Sequence, residues 1–422
     1  MTATIEVQDR QPLMDEPVGF RVEGLSPGRT VAVRAGWLAG GVPLSSFGTY
    51  VADDDGVVAP GAQPSVAGSY VGHDPFGLWW SATTGTGGVP WQSSVDPLAV
   101  SIVVADGEER LATIVVCRRW VGTGVEATVL GEGGMVGTAF SPPGAGPFPA
   151  VLVLGGSTGG LGGAEAKAAL LASRGVAALA VAYFGAPGRP PDLVDIPVEH
   201  LGDCLAWLQG RPYADAERVG VVGSSRGAEL ALLVGATYGV VRRVVAAAPS
   251  NVAWGGAGPG AAPGSTAWTL EDRPLPSMGP WRAELAAQVF AQDPVRLAPI
   301  FDDALDDHDA VRAAEIPVER VDGSVLLISG GDDAMWPSRR MAEALLRRAQ
   351  ANGAGARVSH LHHPEAGHLC AGAPGTAVPS VVDHPLDGRR YFMGGSPAAN
   401  AAAATSSWHH TLRFLRRAAE EG

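Results

Sequence analysis

The chain has 422 residues, of which 46% are hydrophobic and 17% charged, a composition typical of a globular protein large enough for two domains. The formal net charge of −13 disfavours binding to nucleic acid and to anionic membrane surfaces, so we expect neither partner. The cysteines Cys117, Cys204 and Cys370 are far apart and odd in number, which argues against a disulfide framework and a Cys-x-x-Cys metal site.

The amino terminus has no basic segment followed by an apolar stretch, so it does not resemble a secretory signal. The longest apolar runs are shorter than the roughly 18 residues that a membrane span needs. We therefore expect a cytoplasmic protein. Lys167 is the only lysine, a bias that we attribute to codon usage in a GC-rich genome and not to any interaction.

Residues 1–132 are predicted to form a β-sandwich domain of the immunoglobulin-like type. Short β-branched segments alternate there with turn residues such as Ser26-Pro27-Gly28, and no convincing helical pattern occurs. The predicted strands are Ala3–Val7, Gly19–Val22, Thr30–Gly36, Gly48–Ala52, Val100–Val104 and Leu111–Val116.

Residues 133–422 show a different pattern, in which apolar strands alternate with helices. The predicted strands are Ala150–Leu154, Ala177–Ala182, Arg218–Val222, Arg243–Ala247, Ser324–Ile328 and Arg357–His360. The predicted helices include Ala164–Ser173, Val198–Gln209, Gly227–Ala236 and Pro337–Ala351. This alternation predicts a doubly wound, mostly parallel sheet with helices on both faces. Residues 251–317 interrupt it and are expected to form a lid-like insertion with one helix from Pro280 to Phe290.

A G-x-S-x-G motif, Gly223-Ser224-Ser225-Arg226-Gly227, lies between a predicted strand and a predicted helix. That context is typical of the nucleophile turn of α/β-hydrolases, in which glycines allow a sharp turn that exposes the serine. Ser225 is therefore the candidate nucleophile, although the pattern alone also fits an ordinary Gly/Ser-rich turn.

A serine hydroxyl needs an imidazole to take its proton and a carboxylate to orient that imidazole. Asp333 follows the strand ending at Ile328 with a turn spacing that favours it as the acid, and Asp332 is the alternative. His368, in the loop after the last predicted strand, is the candidate base. The resulting order of serine, aspartate and histidine is that of the α/β-hydrolase fold.

An oxyanion hole requires two backbone N–H groups directed at the attacked carbonyl. One is expected from Arg226, and the other from Gly156 or Ser157 in the glycine-rich loop after the first strand of this half. The glycines alone could form a phosphate loop, but the loop lacks the G-K-[ST] ending of such loops, so we do not expect nucleotide hydrolysis.

The other polar clusters predict no cofactor and no metal site. The adjacent His362 and His363 lack further ligands at metal spacing, and the acidic segment 302–309 lacks the spacing of a calcium loop. Six tryptophans could line an acyl pocket or pack in the core: Trp79, Trp80, Trp254, Trp268, Trp281 and Trp336.

Over nearly its whole length, the sequence resembles the acyl-CoA thioesterase / bile acid-CoA:amino acid N-acyltransferase family. In the first half the resemblance lies in Asp15-Glu16-Pro17, Arg21 to Gly28, Gly68-Ser69-Tyr70 and Pro75-Phe76-Gly77-Leu78-Trp79. In the second half it lies in Ala182-Tyr183-Phe184, Gly223 to Leu230, Ile316 to Arg320, Asp332-Asp333-x-x-Trp336-x-Ser338, Ala366-Gly367-His368 and Gly394-Gly395-x-Pro397 through Trp408.

The resemblance implies an acyl-thioester substrate, either acyl-CoA or acyl-pantetheine, and an acyl-enzyme on Ser225 with a triad completed by Asp333 and His368. Serine rather than cysteine at the nucleophile implies hydrolysis. The chain departs from the family pattern after His368, where Leu369 to Pro374 lack the usual Glu-Pro-Pro stretch, and in its pair Ser224 and Arg226. Its end, Glu420-Glu421-Gly422, is not a peroxisomal tripeptide, from which we expect a bacterial cytosolic form.

These observations predict an acyl-CoA thioester hydrolase. The alternatives are an N- or O-acyltransferase using the same acyl-enzyme, a related carboxylesterase, and a non-catalytic binding protein on the same fold. The sequence leaves the acyl chain, the thiol carrier and the oligomeric state open.

Overall fold

The structure is a computed structural model that describes residues 3–85, 89, 94–131, 134–385 and 387–417. Its amino-terminal part contains β1 (Thr4–Val7), β2 (Phe20–Glu23), β3 (Thr30–Ala39), β4 (Val42–Val51), β5 (Ala67–Gly68), α1 (Gly77–Trp80), β6 (Leu98–Asp106) and β7 (Glu109–Arg118). Strands β1 and β2 form one antiparallel pair, and a five-stranded antiparallel sheet has the order β5-β4-β3-β6-β7. The two sheets share one apolar core, in which Phe20 of β2 clusters with Val33 and Ile102. The prediction of an antiparallel β domain is confirmed.

The rest of the chain alternates between strands and helices. The first elements are β8 (Glu126–Leu130), β9 (Gly137–Ser141), β10 (Phe148–Leu154), α2 (Gly162–Ser173), β11 (Ala177–Val181), β12 (Ile196–Pro197), α3 (Glu199–Gln209), β13 (Ala214–Ser224), α4 (Arg226–Thr237) and β14 (Val241–Ala247). They are followed by β15 (Trp268–Leu270), β16 (Arg273–Pro274), α5 (Ala283–Phe290), α6 (Ala298–Ala304), α7 (His308–Ala314), β17 (Ser324–Gly330), α8 (Ser338–Ala351), β18 (Val358–His363), β19 (Val381–Asp383), β20 (Arg390–Phe392) and α9 (Pro397–Arg416).

A single eight-stranded sheet, in the order β18-β17-β14-β13-β10-β11-β9-β8, organises this part of the chain. The pairs from β18 to β11 are all parallel. Apolar clusters cover both faces: residues of α3, α4 and α8 pack on one, and residues of α2 and α9 pack on the other. Because both faces are buried, the central strands are nearly continuous apolar runs. The predicted α/β-hydrolase architecture is confirmed.

One edge of this sheet contains two strands that the sequence analysis does not predict. Strands β8 and β9 form an antiparallel extension next to β11, although neither was predicted from its sequence. Strand β8 lies before residue 132, so the large sheet starts ahead of the expected boundary. The division at residues 132/133 stays a prediction.

A buried ionic cluster attaches the segment after β14 to helix α4. The guanidinium of Arg226 lies 3.4 Å from a carboxylate oxygen of Glu229 and donates hydrogen bonds to the carbonyls of Trp254 and Gly255, at 3.0 and 3.1 Å. Glu229 accepts from the backbone N–H of Trp254 at 3.0 Å and from the indole N–H of Trp268. Burial raises the pKa of Glu229, although the nearby Arg226 opposes that shift. The insertion is thus anchored to the first turn of the helix that follows Ser225. Its role as a lid stays a prediction.

A buried arginine joins the antiparallel β domain to the second part of the chain. Arg118, at the end of β7, donates to the carbonyl of Gly375 at 2.5 Å and to that of Met14, and its guanidinium lies 4.7 Å from the ring centroid of Trp79. On the other side, Arg174 pairs with Asp15 at 2.7 Å. Arg118 thus joins the β domain to the segment that follows His368 in sequence, and Asp15 joins the amino-terminal part to the end of α2.

Within the described residues, none of the helices is both long and apolar enough to cross a membrane.

We expect Arg118→Met to lower the free energy of unfolding by about 2–5 kcal/mol, because the substitution leaves two buried carbonyls without their donor. Urea denaturation followed by circular dichroism measures this change. The matched control is Arg110→Met on the same strand, where the side chain is exposed and the expected change is within about 0.5 kcal/mol. Equal effects of the two substitutions would contradict the prediction.

Glu229 should also make stability depend on pH. Because its pKa is raised in the folded state, the group binds a proton more readily when folded, and its contribution to stability declines as the pH rises above about 4.5. We expect wild type to lose stability relative to Glu229→Gln between pH 5 and pH 8. Urea midpoints at several pH values test this, with Glu284→Gln on the exposed face of α5 as the charge-matched control. A constant difference between wild type and Glu229→Gln would contradict it.

Candidate active site

Ser225 occupies the turn between β13 and α4. Its backbone has φ 56° and ψ −124°, a conformation that is uncommon for a residue with a side chain. Its N–H donates to the carbonyl of Ala247 at 2.9 Å, so the strained residue is held against the end of β14. The turn therefore places a partly exposed serine at the carboxyl edge of the parallel sheet.

The two glycines of the motif are required by close backbone packing. A Cβ on Gly223 would lie 2.0 Å from the carbonyl oxygen of Gly227. A Cβ on Gly227 would lie 2.2 Å from the carbonyl oxygen of Gly155, in the loop after β10. Only glycine allows these contacts, which pack the serine turn directly against the glycine-rich loop.

Asp333 and His368 are in direct contact. The Nδ1 atom of His368 lies 2.9 Å from Oδ2 and 3.0 Å from Oδ1 of Asp333, and both side chains are largely buried. Oδ1 of Asp333 also accepts from the backbone N–H groups of Met335 and Trp336, at 3.0 and 3.3 Å. These donors orient the carboxylate toward the imidazole. Asp333 contacts the imidazole through Nδ1, so the Nε2 atom is not used by this pair.

Asp332, the alternative acid, has a different partner. Its Oδ2 accepts from the backbone N–H of Gly395 at 2.9 Å, so it holds the turn that follows β20. The same turn is held by Asn400 of α9, which accepts from the N–H of Gly367 at 2.7 Å and donates to the carbonyl of Gly394 at 3.1 Å. The two aspartates thus hold different parts of one group of loops.

Within the described residues, His368 is hydrogen-bonded to Asp333 but not to the hydroxyl of Ser225. The ammonium of Lys167 bridges the neighbourhoods of the serine and the imidazole by donating to Ser224 Oγ and to the carbonyl of Ala371, each at 3.2 Å. Catalytic hydrogen bonds are often long without substrate and shorten in the substrate complex. The loops of Ser225 and His368 are thus connected through Lys167, although the serine–imidazole hydrogen bond is not formed.

The predicted oxyanion-hole residues lie beside the serine. A Cβ on Gly156 would be 3.4 Å from Cβ and 3.9 Å from Oγ of Ser225. Arg226 occupies the first position of α4, where a backbone N–H has no acceptor within the helix. The side chain of Arg226, in contrast, is directed into the ionic cluster with Glu229.

Tyr183 fixes the orientation of the glycine-rich loop. Its buried hydroxyl donates to the carbonyl of Gly155 at 2.6 Å and lies 3.4 Å from that of Gly156. In a trans peptide the N–H group points opposite to the carbonyl, so the N–H groups of Gly156 and Ser157 are directed away from Tyr183. Burial raises the pKa of Tyr183, which keeps it a hydrogen-bond donor. The hydroxyl of Ser157 also lies 3.3 Å from Nε2 of His384.

The predicted pocket tryptophans separate into three groups. Trp79 and Trp80 belong to the core of the β domain, and Trp268 binds Glu229. The remaining three form an aromatic cluster with Phe301, and ring contacts of 4.7–5.9 Å connect this cluster to His368: Trp254, Trp281 and Trp336.

Sequence reasoning assigned no site role to Tyr183, Asn400 or Lys167. Tyr183 and Asn400 lie in segments singled out above for their family resemblance, which was the available signal for them. Lys167 was noted only as the one lysine of the chain.

Two family models match the chain. The model described as BAAT / Acyl-CoA thioester hydrolase C terminal matches residues 196–421, and the one described as Acyl-CoA thioester hydrolase/BAAT N-terminal region matches residues 15–132. A solved structure, a putative dienelactone hydrolase from Klebsiella pneumoniae, is similar with a TM-score of 0.42 and 17% identity over 70% of this chain and 98% of its own. A TM-score this low adds nothing to the fold assignment, which rests on the strand order.

Curated relatives match over nearly the full length. Acyl-coenzyme A thioesterase 6 of Mus musculus is 29% identical over 99% of this chain and 97% of its own length. The mitochondrial acyl-coenzyme A thioesterase 2 of the same species is 30% identical over 99% and 89%, and acyl-coenzyme A thioesterase 1 of Homo sapiens is 28% identical over 96% and 93%. Since one family model covers more than half of the chain, the protein is an enzyme of the serine hydrolase type that belongs to the BAAT / acyl-CoA thioester hydrolase family.

Proposed function

We propose that this protein hydrolyses acyl thioesters of coenzyme A through an acyl-enzyme on Ser225. The observation that carries the proposal is the 2.9 Å contact between His368 and Asp333, at the same sheet edge where Ser225 adopts its strained turn. A buried carboxylate that holds an imidazole by Nδ1 leaves Nε2 to act as a base toward a serine. The curated relatives that are named thioesterases supply the substrate class.

In this mechanism, His368 Nε2 takes the proton of Ser225 as the hydroxyl oxygen attacks the thioester carbonyl. Asp333 stabilises the imidazolium, and the N–H of Arg226 with that of Gly156 or Ser157 stabilises the oxyanion. The C–S bond breaks, and the thiol leaves with the proton from His368. Water then loses its proton to the same imidazole and attacks the acyl-enzyme, which releases the acid and restores Ser225.

The aromatic cluster above His368 is the proposed acyl-binding surface. The ring centroid of Trp336 lies 5.9 Å from that of the His368 imidazole, and Phe301 packs against Trp336 at 5.7 Å. Met335, whose backbone N–H donates to Asp333, packs with apolar residues of the insertion. An apolar surface at this position favours the acyl part of the substrate over its charged nucleotide part.

We expect Ser225→Ala to lower the rate of thioester hydrolysis by about 10⁶-fold, as in other serine triads, without loss of folded structure. The measurement is thiol release from a panel of acyl-CoA and acyl-pantetheine thioesters, with product identification in the presence and absence of amine acceptors. Free acid as the product with and without amine acceptors supports hydrolysis. An amide product in the presence of the amine would instead assign the protein as an acyltransferase. Unchanged activity of Ser225→Ala would exclude Ser225 as the nucleophile.

The two aspartates should differ in their effect on turnover. Asp333→Asn is expected to reduce kcat by about 10⁴-fold because it removes the carboxylate that selects the imidazole tautomer. Asp332→Asn should reduce kcat by no more than about 10-fold, since its partner is the backbone of Gly395. Steady-state kinetics of the two variants on one thioester decide the assignment. A larger loss in Asp332→Asn would reverse it.

A further inference from the structure

The only lysine of the chain lies between the two loops of the candidate active site. Lys167, on α2, donates one hydrogen bond to Ser224 Oγ and one to the carbonyl of Ala371, both at 3.2 Å. Ser224 immediately precedes the proposed nucleophile, and Ala371 lies three residues after His368. A single ammonium group therefore connects the serine turn to the histidine loop.

The segment after His368 is held largely by side chains. The carbonyl of Cys370 accepts from Ser407 Oγ at 2.8 Å, that of Ala371 from Lys167, and that of Gly375 from Arg118 at 2.5 Å. The three donors come from α9, α2 and the β domain. Of these, Lys167 is the donor that also contacts a residue next to Ser225.

Lys167 is held by hydrogen bonds to neutral oxygen atoms and not by an ion pair. Within the described residues Lys167 makes no ion pair, and its electrostatic neighbour is the buried Cys370 thiol, whose pKa burial raises to about 12. Burial lowers the pKa of Lys167 itself to about 8, so at neutral pH it remains an ammonium with three donors. Its two neutral acceptors, Ser224 Oγ and the carbonyl of Ala371, lie on different loops, so Lys167 links the positions of these loops.

We propose that Lys167 is a positioning residue that keeps Ser225 and His368 in register for proton transfer. The inference rests on the proposed function, since it assigns Lys167 a role in that same site. In the part of the chain that the structure describes, the hydroxyl of Ser225 has no hydrogen bond to His368, so the separation of the two loops determines how readily that bond forms with substrate. A displacement of about 1 Å at such a site can lower the rate by about 10²-fold.

The test compares Lys167→Met, which removes the donors, with Lys167→Arg, which restores them. Active sites are counted by labelling with a fluorophosphonate, which reacts with an activated serine whatever the natural substrate. We expect Lys167→Met to lower both kcat per labelled site and the labelling rate by about 10–100-fold with KM changed less than about 3-fold, and Lys167→Arg to recover most of both.

The control is Arg174→Met. Arg174 follows α2 and forms ion pairs with Asp15 and Glu16, which belong to neither loop. We expect this substitution to lower the melting temperature without changing kcat per labelled site. An unchanged kcat and labelling rate in Lys167→Met would overturn the proposal, as would a Lys167→Arg variant no better than Lys167→Met. Labelling of wild type without thioester hydrolysis would overturn the substrate assignment alone, while absence of labelling would remove the reactive serine on which both proposals depend.

Discussion

Close backbone packing between the serine turn and the glycine-rich loop is the constraint on which the candidate site depends. Gly227 has no room for a Cβ because the carbonyl of Gly155 occupies that position. The contact joins the turn that carries Ser225 to the loop that carries Gly156 and Ser157, so one packing requirement sets the distance between the proposed nucleophile and the proposed oxyanion donors. Tyr183 then orients the loop by donating to its carbonyls.

The second half of the site is assembled from the loops that follow the paired strands β17 and β18. Asp333 and His368 lie after different strands, and Asn400 of α9 joins the backbones of Gly367 and Gly394 around them. Backbone hydrogen bonds also join these loops, such as that from the N–H of His368 to the carbonyl of Met393 at 2.7 Å. Side-chain amides and carboxylates add to them, because each buried backbone group needs a partner. The geometry of the candidate site therefore depends on residues outside the proposed triad, such as Asn400.

The candidate residues of the site could be proposed from sequence because each lies in a short local pattern. The motif around Ser225 and the loop positions of Asp333 and His368 are visible as short patterns next to apolar strands. Sequence alone left Asp332 and Asp333 as alternatives, because both follow the same strand. Their contacts differ: Asp333 meets His368, whereas Asp332 holds the backbone of Gly395. The proposed role of Lys167 has no local signal in the sequence, since its hydrogen-bond partners are 57 and 204 residues away.

The amino-acid sequence by itself determined the fold class. Turn-separated β-branched segments mark the β domain, and apolar strands that alternate with helices mark the parallel sheet. The sequence did not determine the antiparallel edge of β8 and β9, because β8 is mostly exposed and β9 is almost wholly buried, so neither short strand shows an alternating apolar pattern. The burial of Arg118, the ionic cluster of Arg226 with Glu229, and the tie of Lys167 between two loops were decided only by tertiary structure. In each case a charged side chain left water because packing brought backbone acceptors or an opposite charge to it.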